Sequence, residues 1–467
     1  MHKTICSPHR REHIGIHLLS RAISTDATHD SPTYHPRCHA GTRKVIIEII
    51  MKWIEDQEPS EAVIWLHGLA GHGKSAILQS VAELCESMGG QPAASFFFSK
   101  RASDRNKGHH LFCTIAYQLA TNIPTIRSRI DHVMRLDPAL PQKSIQHQFQ
   151  KLVLGAFQQI NTDDLFLHTP TIIIDGLDEC EDHDAQQSIL SLILDAVKSH
   201  SLPLRFLIAS RPEPQIVECF SAPGVSAITR QLALDDSFQP YDDIRTFLNS
   251  AFLDIRKRKG QFISSALWPG SDVIEYLVSK SSGQFIYVST VVKFVDAAFT
   301  DPVKQLDMIL RSSSSRSRIF LNLDVLYSDI LSSHPDLIFL RNLFVILLTP
   351  STHGRNMSIF LIEDLLGLRR DTLLLLLGGL FSLLEVRGNL LSIAHASFQE
   401  YIYDEARSGP YYINIHRCSG YMATICLTSV TNWILNPWKR YDTCIKLPCF
   451  ADVSHPGHFL SRHQHLL

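Results

Sequence analysis

The stretch AVIWLHGLAGHGKSAILQSVAELCESM, residues 62–88, decides the fold. It opens on an apolar run closed by Gly68, which reads as a short buried strand. From Ser75 onward the apolar positions recur at helical spacing. Between the two, GLAGHGKS (68–75) matches G-x-x-x-x-G-K-[ST], and a strand followed by a helix is the setting that motif requires. Gly68, Gly71 and Gly73 let the backbone curl so that amide N–H groups face inward, and the helix N-terminus adds positive potential. The loop is therefore an anion site, assigned to Gly68, Leu69, Ala70, Gly71, His72, Gly73, Lys74, Ser75 and Ala76. Lys74 is placed to reach β- and γ-phosphates, and Ser75 to put its hydroxyl on Mg²⁺.

Four further apolar runs follow: AASFFFS (93–99), TIIID (171–175), LRFLIAS (204–210) and the weaker SAITRQLAL (226–234). Helical patterns separate them at 75–88, 111–123, 144–160 and 185–200, and one precedes them at 42–56, with Thr42 as a possible N-cap. Continuous apolar strands alternating with helices predict an α/β fold, a parallel sheet with helices on both faces. After about Leu234 the strand signals stop and closely spaced helices take over. SLLEV–RGN–LLSIAH (382–395) reads as two extended runs around a turn. Short helices followed by a hairpin form a winged-helix pattern. The expected division is a leader at 1–40, poorly ordered, and a P-loop domain at 41–235. A helical domain at 236–315, a winged-helix domain at 316–430 and an atypical tail at 431–467 complete it. Ser312–Ser317 reads as a linker.

Composition bounds the rest. The chain has 467 residues, 45% hydrophobic and 19% charged, enough for a sizeable core. Its formal charge of −2 excludes a globally basic nucleic-acid coat. Ten cysteines form no CxxC pair, which fits reduced thiols and a cytoplasmic location better than a disulfide framework. His35, Cys38 and His39 lack a fourth metal ligand and are read as incidental. The apolar stretch Thr372–Leu384 is shorter than the roughly 20 residues a bilayer needs and reads as buried core, so no membrane is expected.

Two further pieces accompany the P-loop. TIIIDGLDE (171–179) puts Asp175 at the end of a strand, where a carboxylate can hold Mg²⁺. Asp178 and Glu179 follow, and either could orient or deprotonate an attacking water. ASRP (209–212) puts Arg211 at the end of another strand, placed to sense a γ-phosphate.

The order GLAGHGKS, IIIDGLDEC, LIASRPEP resembles the NACHT class of signal-transduction P-loop ATPases, also called STAND ATPases, which include NLR-type receptors. The flanks CHAGTRKVIIEIIMKWIED, ASFFFSKR and TIAYQLA are similar to the large fungal NACHT family whose domain is catalogued as nephrocystin-like N-terminal. SGQFIYVSTVVKFV (282–295) is similar to that family's helical motif near the adenine, and HASFQEYI (395–402) to its winged-helix motif. The resemblance implies ATP/ADP and Mg²⁺ as cofactors, with Ser75 and Asp175 on the metal. It implies Asp178 or Glu179 as catalytic carboxylate and Arg211 as sensor. Arg43 would lie over the nucleotide, and His395 would touch the ADP β-phosphate in the closed state. It implies a slow NTPase acting as a switch in signalling, which self-associates in the ATP state and works with other signalling chains. Relatives usually carry an effector domain and a repeat sensor, and neither is expected in this chain.

Two other readings compete. An ATP-dependent regulator could bind DNA through its winged helix. The recognition-like helix DTLLLLLGGLFSLL is leucine on nearly all faces, so nucleic acid is not expected as a partner. A nucleotide-free scaffold is the other, and the intact Gly73-Lys74-Ser75 and Asp175 argue against it.

Overall fold

The structure is a computed structural model that describes residues 14–32, 36–57, 60–88, 93–100, 102–158, 169–199, 202–235, 238, 240–263, 265, 267–298, 300–312, 321–349 and 357–435. Five strands, β1 (Val63–His67), β2 (Ala94–Phe97), β3 (Thr171–Asp175), β4 (Arg205–Ser210) and β5 (Thr229–Ala233), form one sheet in the order β2-β3-β4-β1-β5. Every neighbouring pair is parallel. Alternation along each strand divides the sheet's apolar side chains between two cores. Val63, Trp65, Phe96, Ile172, Ile174 and Phe206 face one. Ile64, Leu66, Phe97, Ile173 and Leu207 face the other, beneath the helices Lys44–Glu55 and Lys74–Ser87. The sheet is thus covered on both sides, as the continuous apolar strands require.

Order within the sheet does what spacing in sequence cannot. β4 lies between β1 and β3, so the residues that follow the three strands form one row at about 4.8 Å per strand. The P-loop follows β1, Asp175 ends β3 and Arg211 follows β4.

The leader is corrected by the structure. Residues 14–32 are packed, with Leu19 and Ala27 buried in the sheet's core. The helix Ile14–Leu19 crosses the helix Pro124–Leu136 at Gly15, where a Cβ would sit 2.0 Å from the Asp131 carbonyl oxygen. The Ile16 N–H donates to Asp131 Oδ1 at 3.1 Å. Gly15→Ala is expected to overpack this crossing at a cost of about 1–3 kcal/mol. Limited proteolysis should then cut the chain before residue 33 in the variant and spare it in the wild type.

The N-cap reading of Thr42 is corrected too. Arg43 holds that place in the left-handed region at φ 57°, and the Thr42 hydroxyl donates to the His39 carbonyl.

Beyond β5 a single hydrophobic cluster runs from Ile244 to Cys418. It crosses the boundary expected at 315/316, so the helical region and the region after it share one core. The hairpin forms as read, from β7 (Leu384–Arg387) and β8 (Leu390–Ile393), with β6 (Met357–Ser358) on the other edge of β8. The leucine run is shorter than expected. Its helix is Leu373–Leu377, of which Leu373 and Leu377 are buried while Leu374, Leu375 and Leu376 are exposed. Residues 313–317 of the expected linker, His35 and residues 436–467 of the tail lie outside the described residues. Among the described residues no single helix is long and apolar enough to cross a membrane. The apolar pair Asn322–Ser332 and Leu337–Leu348 is bent by 117°, and Leu331, Leu343 and Ile346 are buried in the core.

Candidate functional site

The loop after β1 takes the conformation its glycines permit. Gly71 and Gly73 have φ of 78° and 86°, where a side chain is strained. No atom lies within 4 Å of where a Gly73 Cβ would be, so the loop is open there. Lys74 begins the helix, and its Nζ donates to the carbonyls of Gly68 at 2.7 Å and Leu69 at 3.1 Å. Burial lowers the Lys74 pKa, opposed chiefly by Asp178. The loop is held from outside by Arg43, whose guanidinium donates to the His72 carbonyl at 2.9 Å and stacks over the Phe285 ring at 4.8 Å. The Arg43 N–H donates to Asp243 Oδ2 at 3.0 Å. Arg43 therefore bears on the P-loop backbone and joins it to the helices Pro240–Arg258 and Phe285–Val295. The Ile286 N–H donates to the Gly71 carbonyl, and a Cβ on Gly71 would meet Ile286 Cγ2 at 2.1 Å. The helical region is seated directly on the loop, at the SGQFIY stretch.

Asp175 is buried at the end of β3, where the neighbouring Ser75 hydroxyl favours its charged form. Its Oδ1 is buried without a hydrogen-bond partner. A buried carboxylate oxygen and an adjacent hydroxyl suit a hard divalent cation, so this pair fits Mg²⁺. Among the described residues no cluster of three His, Cys, Asp or Glu side chains offers another metal site. Burial pushes the Asp175 carboxyl up to about 7. The raised value means the folded state keeps a proton that the unfolded chain releases near 3.8. That proton's contribution to stability is complete below the unfolded value and is lost as pH rises to about 7. In metal-free buffer the wild type is expected to lose stability across this window. Asp175→Asn should remove that part of the slope, as denaturant titrations at several pH values would show.

Gly176 has a φ of 66° and turns the chain into Leu177–Glu179. Asp178 is buried and engaged with Arg211 twice. Its Oδ1 accepts the Arg211 backbone N–H at 2.9 Å, and its Oδ2 lies 3.2 Å from Arg211 Nε. Glu179 Oε2 accepts the Lys100 N–H at 3.1 Å. Arg211 has a further partner that sequence reasoning missed: its Nη1 lies 2.8 Å from Glu400 Oε1. Burial works against the Arg211 charge, but Glu400 and Asp178 outweigh it and hold its pKa above the ordinary value. Glu400 belongs to the helix Ala396–Tyr403, whose N-cap is His395. The structure thus brings the P-loop, Asp175, Asp178, Glu179 and Arg211 to one sheet edge. Glu400, rather than His395, is the residue of that helix joined to Arg211.

Residues 41–211 match the family model described as Nephrocystin 3, N-terminal. That span contains the loop, the Ser75–Asp175 pair and Arg211. The match, with the strand, loop and helix of 62–88, supports a P-loop NTPase fold for this span. The match supports the nephrocystin-like part of the sequence resemblance, and the NACHT part rests on the motifs. Comparison with curated proteins gives no match. Among solved structures, the Aeropyrum pernix Orc1 protein in complex with DNA is 16% identical, covering 78% of this chain and 91% of its own, with a TM-score of 0.34. Cdc6p from Pyrobaculum aerophilum is 14% identical, covering 85% and 99%, with a TM-score of 0.31. The AMPPCP-bound DnaA from Aquifex aeolicus is 10% identical, covering 68% and 86%, with a TM-score of 0.31. Likeness at this level assigns no ligand or partner to the P-loop domain.

Proposed function

We propose that the chain is a nucleotide-gated switch of the NACHT, or STAND, class. ATP or ADP binds on Gly68–Ala76, and Ser75 and Asp175 hold Mg²⁺. The observation that carries this reading is the sharing of Arg211 between Asp178 and Glu400. Asp178 belongs to the P-loop domain. Glu400 lies on the helix after the hairpin, in the region read as a winged helix. One cation at the sheet edge therefore fastens that region over the site. A γ-phosphate at the same edge would compete with Glu400 for Arg211, and a diphosphate would not. That difference in contacts is what lets a ligand shift a conformational equilibrium.

The closed form binds ADP, with His395 at the head of the same helix. The triphosphate form releases Glu400, opens and self-associates in signalling with other chains. Turnover is slow. Asp178 has both oxygens committed to Arg211 and cannot orient a water at the same time, which leaves Glu179 for that role. The nucleotide carried by the purified chain, read by chromatography after denaturation, tests the reading. About one ADP or ATP per chain is expected. A chain that carries none, and whose Tm neither nucleotide raises, overturns it.

A further inference from the structure

Arg105 belongs to no motif, yet it is only 8% exposed. It sits in the loop that leaves β2, a loop closed by hydrogen bonds from the Ser99 N–H to the Arg105 carbonyl and from the Arg105 N–H to the Ala102 carbonyl. Its Nε donates to the Phe97 carbonyl at 2.9 Å. Phe97 is the residue in register with Asp175 across the β2–β3 pair, and the Phe98 N–H donates to the Asp175 carbonyl. The same loop reaches the acidic turn after β3. The Lys100 N–H donates to Glu179, and the Glu181 N–H donates to the Asn106 carbonyl. Arg105 therefore extends the row of strand ends by one strand, to β2, β3, β4 and β1.

The charges along this row are unevenly satisfied. Lys74 is bonded to two loop carbonyls, and Arg211 to two carboxylates. Among the described residues, Arg105 Nε donates to a neutral carbonyl and no carboxylate lies within ion-pair distance of Arg105. Burial lowers its pKa, and Glu179, Asp175, Asp104 and Asp26 act against that, the first two from the metal side of the site. A guanidinium this deeply buried is costly unless nearby anionic charge balances it.

We propose that Arg105 is a third phosphate-binding cation, supplying positive charge on the β2–β3 side for the terminal phosphate of a nucleoside triphosphate. The inference rests on the nucleotide site proposed above. It divides the labour among the three cations: Lys74 lies within the loop, Arg211 answers to Glu400, and Arg105 is fixed by Phe97 irrespective of Glu400.

The test measures the affinity of the full chain for ADP and for a non-hydrolysable ATP analogue with Mg²⁺, by fluorescent-nucleotide titration. Arg105→Gln should lose about tenfold in affinity for the triphosphate while ADP stays within about twofold, the loss of one charge-assisted contact. Arg105→Lys, which keeps the charge, should recover part of the triphosphate affinity. A residue that merely braced the loop would lower both affinities together, so an unchanged ratio of triphosphate to diphosphate affinity in both variants overturns the proposal. Wild-type protein that binds neither nucleotide overturns the underlying site instead, which separates the two failures.

Discussion

Lys74→Ala is expected to abolish the rise in Tm that ADP and ATP give the wild type. At a nucleotide concentration of about 100 times Kd, ligand linkage stabilises a folded site by about 2.7 kcal/mol. For a domain of this size that corresponds to a shift of about 5–10 °C. Lys74 Nζ is bonded to the carbonyls of Gly68 and Leu69 in the loop, so under the proposed reading it is the cation that nucleotide phosphates would meet there. Removing it leaves the inward amides but takes away the only charged group the loop itself contributes. The apo protein should still fold, because the hydrogen bonds lost are to carbonyls of the loop. Persistence of the full nucleotide-induced shift in the variant would place the ligand elsewhere.

The second large effect concerns the fastening of the helix Ala396–Tyr403. Glu400→Ala is expected to free Arg211 from its outer partner while leaving Asp178 in place. The Glu400 side chain is 42% exposed, so the pair is screened, and about 1 kcal/mol is a fair scale for its loss. That is enough to multiply an open-to-closed ratio about fivefold. The variant should be cut faster than wild type by protease between the P-loop domain and the hairpin region, and should self-associate at lower ATP-analogue concentration. Glu400→Gln, which preserves volume and not charge, should behave similarly. Arg211→Ala should open the chain as well but lose its response to the triphosphate, because the residue that senses and the residue that fastens are the same. Equal protease sensitivity in all three variants and wild type would show that the pair fastens nothing.

Much of the P-loop domain was legible because its signals are local. The strand, loop and helix of 62–88 are contiguous, and each apolar run carries its own strand. Asp175 and Arg211 were legible because both stand at the C-terminal ends of such runs, where a parallel sheet gathers its ligands. What was missed depends on docking. Nothing in HASFQEYI marks Glu400 over His395 as the side chain that reaches the sheet edge, since that choice is made by how the helix lies on the domain. Arg105 sits among polar residues in a stretch that reads as solvated loop. Its burial arises only when the loop packs against the acidic turn after β3. The leader reads as featureless because one short helix, Ile14–Leu19, has too little period to register, and its place is set by close approach at Gly15. The leucine run misled in the opposite direction. Gly378 has a φ of 37° and ends the helix, so a segment that would bury all its leucines as a long helix exposes three.

The central claim is that one nucleotide site controls whether Arg211 holds the helix of Glu400. Sedimentation velocity of the wild-type chain, saturated in turn with ADP and with a non-hydrolysable ATP analogue in Mg²⁺, tests it most directly. The account predicts a compact monomer in ADP and a more extended or associated species in the analogue. Superimposable profiles in the two nucleotides, with both shown to be bound, would contradict it.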